Sequence, residues 1–171
     1  MTTNPLYRYF AGITEQTFEC RLGVADPPLI DYITDLLLRF MRSDAVFRVR
    51  NPSGERLQGV ADMFAEAEAR VGVARREVHR HIGDFTLFWS GVYPEMLEKP
   101  AAGANRVQDY HDHGKRAYYI ASTIETDRAA GAPAEILERL SDLFDLCAFG
   151  LGEVRREWER KTGDDTLFLI N

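Results

Sequence analysis

Residues 133–161 read PAEILERLSDLFDLCAFGLGEVRREWERK. Leu137, Leu140, Phe144, Cys147, Leu151, Val154 and Trp158 fall at alternating intervals of three and four. Such spacing puts every apolar side chain on one stripe of a helix and none on a strand face. The segment therefore predicts one long helix, opened by Gly131-Ala132-Pro133 and ended by Gly163. Gly150 and Gly152 lie inside it. Each costs ~1 kcal/mol relative to Ala, so a bend or a close contact is expected there.

The same period recurs outward from this segment. Val107, Tyr110, Gly114, Ala117, Ala121 and Ile124 make a second seam over about 106–126, and its small residues admit a neighbour unusually close. Val78, Ile82, Phe85, Trp89 and Val92 form the apolar face of a helix over about 74–92. Asn4-Pro5 and Asp26-Pro27-Pro28 are helix starts, because the first side chain accepts from free amides and proline fits the first turn. The first of these helices runs to about Leu22, where Gly23 stops it. The second buries Leu29, Ile33, Leu36, Leu37 and Phe40, and its wide apolar arc suggests a central place. A further helix is expected over about 55–70, weakly interrupted at Val71-Gly72-Val73. Phe47-Arg48-Val49 alternates, Asn51–Gly54 is a turn cluster, and Gly103 and Asn105 precede the 106–126 helix. The expectation is an all-α, single-domain bundle of about six helices covering 1–171, with Ile82, Phe85, Trp89, Leu140, Phe144 and Leu151 in its core.

Residues 75–89 (RREVHRHIGDFTLFW) and 155–169 (RREWERKTGDDTLFL) share nine of fifteen positions at an offset of eighty. Over 55–90 the identities number fourteen of thirty-six. A duplicated helical hairpin with a site between the copies is one explanation. Chance similarity between Arg/Glu-rich helix ends is the other. It is favoured because 31–50 and 111–130 do not match at this offset.

The chain has 171 residues, enough for a real core. Apolar residues are 45% and charged residues 28%, ordinary for a globular protein. A net charge of −6 supplies no field for phosphate backbones, so nucleic acid is discounted. The N-terminus lacks a secretory pattern and no apolar run is long enough to span a membrane, so the cytoplasm is the default. Cys20 and Cys147 have no metal-ligand or redox spacing and read as small buried apolar residues.

All four histidines occur as His-x-His: His79/His81 and His111/His113. On a helix such pairs diverge by about 200°, so neither pair chelates one ion. Helical neighbours give a better metal set: Glu77, His81 and Asp84 on one helix, with Asp109 and His113 on another. The competing reading is ordinary surface pairs. Gly83–Glu95 is apolar on most sides. It is either a pocket floor, with Asp84, Trp89, Tyr93, Tyr110 and Arg116 as ligand contacts, or a closely packed helix with Asp84 tied internally. Lys115 and Arg116 could hold an anion near the tyrosines. Arg75, Arg76 and Arg80, like Arg155, Arg156 and Arg160, are interleaved with Glu and read as charge-laced helix surface. There is no nucleophile elbow, GxGxxG or P-loop, and no cofactor is indicated.

HIGDFTLFWSGVYPE, DYHDHGKRAYYIAS and REWERKTGDDTL, in this order, resemble a family of uncharacterised bacterial all-helical proteins. The shared pattern is a Gly-Asp-x-x-Leu-Phe helix ending in a Pro-Glu turn, a Tyr/Gly/Ala-Tyr helix and a Trp-containing terminal helix. The resemblance covers about residues 70–165. It implies a helical fold, brings no known activity or catalytic residue, and gives no support to His79, His111 or His113 as a site. Two functional readings follow. The first is a non-enzymatic helical protein acting through self-assembly or partner and ligand binding, with a homodimer suggested by the two seams and the apolar tail Leu167–Ile170. The second is a small-molecule or metal-dependent helical enzyme with a site near His81, Asp84 and His113.

Overall fold

The computed structural model describes residues 4–41, 59–97, 106–127 and 131–164. Asn4 opens helix α1, Pro5–Glu15, by accepting from the Leu6 amide at 3.0 Å. The helix widens at its end into a π-helical turn, Gln16–Arg21, that carries Thr17 and Phe18 into the core. Gly23 then reverses the chain at φ 69°. Asp26 caps α2, Pro27–Phe40, through the Leu29 amide at 3.3 Å.

Next come α3, Val60–Glu68, and α4, Gly72–Val92. They are separated by extended Val71 and by Gly72 at φ 59°. A 3₁₀ turn, Pro94–Met96, ends α4. Then follow α5, Arg106–Thr123, α6, Ala134–Asp142, and α7, Phe144–Asp164. Seven α-helices and no strand are found among the described residues, so the all-α class holds with one helix more than about six.

The extra helix comes from Leu143. Its φ of −103° and ψ of 19° divide the predicted 133–161 helix into α6 and α7. The Leu143 amide still reaches the Arg139 carbonyl at 2.8 Å, and buried Leu140, Phe144 and Cys147 carry the apolar stripe through the break. Gly163 does not stop α7, which runs on to Asp164. The expected start at Glu55, the segments Phe47–Val49 and Asn51–Gly54, Gly103, Asn105 and the tail 166–170 lie outside the described residues.

One core draws on all seven helices. Helix α4 is its axis, packing on α2, α3, α5 and α7, so the central place falls to α4 and not to α2. Small residues make this possible. A Cβ at Gly114 would lie 2.3 Å from the Phe144 ring, and one at Gly91 would lie 3.0 Å from the Ala148 carbonyl oxygen. Gly150 receives the Phe18 ring in the same way. The two interior glycines of the last helix therefore mark close contacts. Five of the six expected core side chains are buried and Trp89 is half-buried.

The two halves of the sequence echo fold differently. The break at Val71-Gly72 corresponds to Leu151-Gly152, which is continuous helix in α7. The break at Leu143 corresponds to Met63, inside α3. Arg76 is buried where Arg156 is exposed. Among the described residues, both copies are helical over 75–84 and 155–164, but their helix breaks and arginine burial differ.

Candidate functional site

Asp84 lies midway along α4, among eight consecutive buried residues from His81 to Phe88. A buried carboxylate needs donors, and the fold brings them from two other helices. Gly83 is the first requirement. A Cβ there would meet the Tyr118 ring at 2.5 Å, so only glycine lets that ring come this close to α4. The Tyr118 hydroxyl then donates to Asp84 Oδ1 at 2.6 Å. Tyr32 of α2 donates to the same oxygen at 2.6 Å, and Arg39 Nη2 reaches Oδ2 at 3.1 Å.

A second layer holds these donors. Arg80 Nε donates to the Tyr32 hydroxyl at 3.0 Å, and its guanidinium stands 5.4 Å from the centre of the Tyr32 ring. Arg39 Nε is held by Asp35 at 2.8 Å, and Arg80 Nη1 by Glu77 at 3.3 Å. Burial, then the charge of Asp84, raises the pKa of Tyr32 and of Tyr118. Both phenols therefore remain protonated donors. Burial opposes the charge on Arg39, but Asp84, Tyr32 and Asp35 outweigh it and raise its pKa. The same opposition at Arg80 is overcome by Tyr32, Asp84 and Glu77. The centre joins α2, α4 and α5, and its hydrogen bonds close within the chain.

The expected ligand residues do not share one wall. Asp84 faces Tyr32 and Tyr118. Trp89, Tyr93 and Tyr110 form an aromatic run through Phe85, with ring centres 5.9–6.4 Å apart. Arg116 lies over Phe64 of α3. Lys115 is bound to Asp145 at 2.6 Å, and His111 Nδ1 meets the same carboxylate at 2.7 Å. The expected metal set is also dispersed. Glu77 serves Arg80, His81 stacks on Phe40, His113 packs on Phe64, and Asp109 is exposed. Among the described residues no three His, Cys, Asp or Glu side chains are grouped so as to hold a metal ion.

Two expectations about single residues are corrected. Cys20 is exposed, because it falls on the outer side of the π-helical turn; Cys147 is buried, which pushes its thiol up to about 12. Arg76 is not surface. It is fully buried, with Nε on the Ala121 carbonyl at 3.2 Å and Nη2 on the Ala132 carbonyl at 2.5 Å. Tyr32, Arg39 and Tyr118 were not singled out by the sequence either. The available signal was Asp84 itself, an acid in an apolar helix, which calls for donors without naming them.

Comparison of the chain with protein-family models, with curated proteins and with solved structures finds no match.

Proposed function

We propose that this is a non-enzymatic helical protein acting through self-assembly or binding. The supporting observation is the Asp84 centre. It is the most elaborate polar arrangement among the described residues, and every donor in it is committed to a partner in the same chain. An acid in that state is a structural clamp between helices. At 1% exposure it lacks the open approach that proton transfer with a ligand needs. The enzyme reading requires His81, Asp84 and His113 to converge, whereas they engage Phe40, Tyr118 and Phe64 respectively. Sedimentation and native mass spectrometry of the purified chain test the proposal. A defined oligomer or complex free of metal is the expected result. A strictly monomeric chain carrying stoichiometric metal would overturn it.

A further inference from the structure

Arg76 differs from the arginines around Asp84 in having a buried nitrogen without a hydrogen-bond partner. Its side chain is 1% exposed, and Nε and Nη2 are fixed on two backbone carbonyls. Nη1 has no hydrogen-bond partner, and Glu77 Oε1, at 3.8 Å, is beyond hydrogen-bond reach. Glu77 offsets the charge from that distance but leaves the buried Nη1 without a hydrogen bond.

Arg76 lines a half-open cavity of about 690 Å³ between the end of α5 and the start of α6. Three further features of the lining belong to anion chemistry. Thr126 Oγ1 is buried without a partner. Helix α6 is preceded by Pro133, whose side chain cannot cap, and the first amide bonded into it is that of Ile136. The amides of Ala134 and Glu135 are thus left at a positive helix end. Gly131, at φ 84°, leaves room beside the Arg76–Glu77 pair: a Cβ there would lie 2.9 Å from Glu77 Oε1 and 3.2 Å from Arg76 Nη1.

The rim carries the opposite sign. Glu125, Asp127 and Glu135 are exposed on the same cavity. Three carboxylates repel a polyanion such as a nucleotide, yet they favour a ligand that is anionic at one end and cationic at the other. We propose that this cavity binds a small zwitterion of the amino-acid type. Its carboxylate lies on Arg76 Nη1 and the α6 amides, and its ammonium group faces the rim acids. A charge-assisted bond of this kind completes the guanidinium. The site adjoins the Asp84 centre through Glu77, which also holds Arg80, and it requires no assembly.

Calorimetry and thermal shift on the full chain test it, using the common amino acids singly, their des-amino carboxylates, and inorganic phosphate. At least one amino acid should bind, at least about tenfold more tightly than its des-amino analogue, and phosphate should not compete. Substituting Arg76 would also release two carbonyls, so two milder variants carry the assignment. Ala134→Pro deletes one amide at a first helical position, where proline is well tolerated. Thr126→Val deletes the hydroxyl at nearly constant volume. Both should keep the wild-type melting temperature within a few degrees and weaken binding about tenfold. No binding by any amino acid at low millimolar concentration would overturn the proposal. So would a preference for phosphate or bare carboxylates, or affinity unchanged in both variants.

Discussion

Oδ1 of Asp84 takes two phenol hydrogens, and that sets how its replacements should behave. In Asp84→Asn the charge facing Arg39 and Arg80 disappears, and one amide hydrogen must point toward donors. Breaking one side of a buried ion pair costs about 3–5 kcal/mol, so this variant should show the largest loss of any polar substitution in α4, read as the urea midpoint. Tyr118→Phe keeps the ring on Gly83 and removes one donor, which should cost about 1–2 kcal/mol. His79 gives a pH signature. Its ring is fully buried on Phe64, with centres 5.7 Å apart, and neither nitrogen has a hydrogen-bond partner. Burial, then Arg75, lowers its pKa to about 4 from the ordinary 6.5; Glu68 opposes the shift and Arg116 adds to it. Between these values the unfolded chain binds more protons than the folded one. Stability should therefore fall as pH drops from 6.5 to 4, by roughly 3 kcal/mol at most, and hold steady above 6.5. His79→Leu should flatten that slope in urea titrations at pH 7.5 and 4.5; an unchanged slope would place the proton uptake elsewhere. Sequence alone made Asp84 readable as an acid needing internal ties, because an apolar run around a carboxylate leaves no other solution. Arg76 was not readable. Its partners are carbonyls 45 and 56 residues away, and backbone oxygens carry no sequence signature.

At the level of helices, glycine decides how closely α4 can be approached. Gly83→Ala would place a methyl 2.5 Å from the Tyr118 ring, and Gly114→Ala one at 2.3 Å from the Phe144 ring. Alanine is the better helix former by ~1 kcal/mol, but overpacking of this size costs about 1–3 kcal/mol, so both changes should lower stability. Gly12→Ala is the control. It is exposed within α1 with nothing near its Cβ, so the propensity gain should stand alone, at about 0.5–1 kcal/mol. Thermal unfolding of the three variants checks the opposite signs. Helix starts at Asn4 and Asp26, the stop at Gly23 and the interruption at Val71–Val73 were legible because each rests on a local geometric need. The division at Leu143 was not legible, since a one-residue departure that preserves its amide bond leaves the apolar period undisturbed. The π-helical turn at Gln16–Arg21 was equally hidden. It is fixed by burying Phe18 against Gly150, a contact made across the whole chain.

For the molecule as a whole, the question is where surplus apolar surface remains. Two seams suggested a surplus, but the structure uses both inwardly. Gly114, Ala117 and Ala121 are buried, and so are Leu137, Leu140, Phe144, Cys147, Leu151 and Val154. The exposed large apolar side chains, among them Leu6, Met41, Val71, Val73, Met96, Tyr119 and Phe149, are distributed over seven different elements and connections among the described residues. Single exposures of this kind are normal and do not make an interface. Among the described residues, no helix is long and apolar enough to cross a membrane either. A homodimer, the commonest soluble assembly, must then draw on surface outside the seams. Leu167-Phe168-Leu169-Ile170 is a wholly apolar stretch of four residues outside both seams. The expected outcome is a dimer at micromolar concentration for the full chain and a monomer for a chain ending at Asp164, with helical circular dichroism retained in both. A dimer that survives the truncation would require an interface built from the scattered exposed residues, and Phe149→Asp would then be the variant to dissociate it. A monomer in both cases would remove self-assembly from the proposed function and leave binding to a ligand or a different partner.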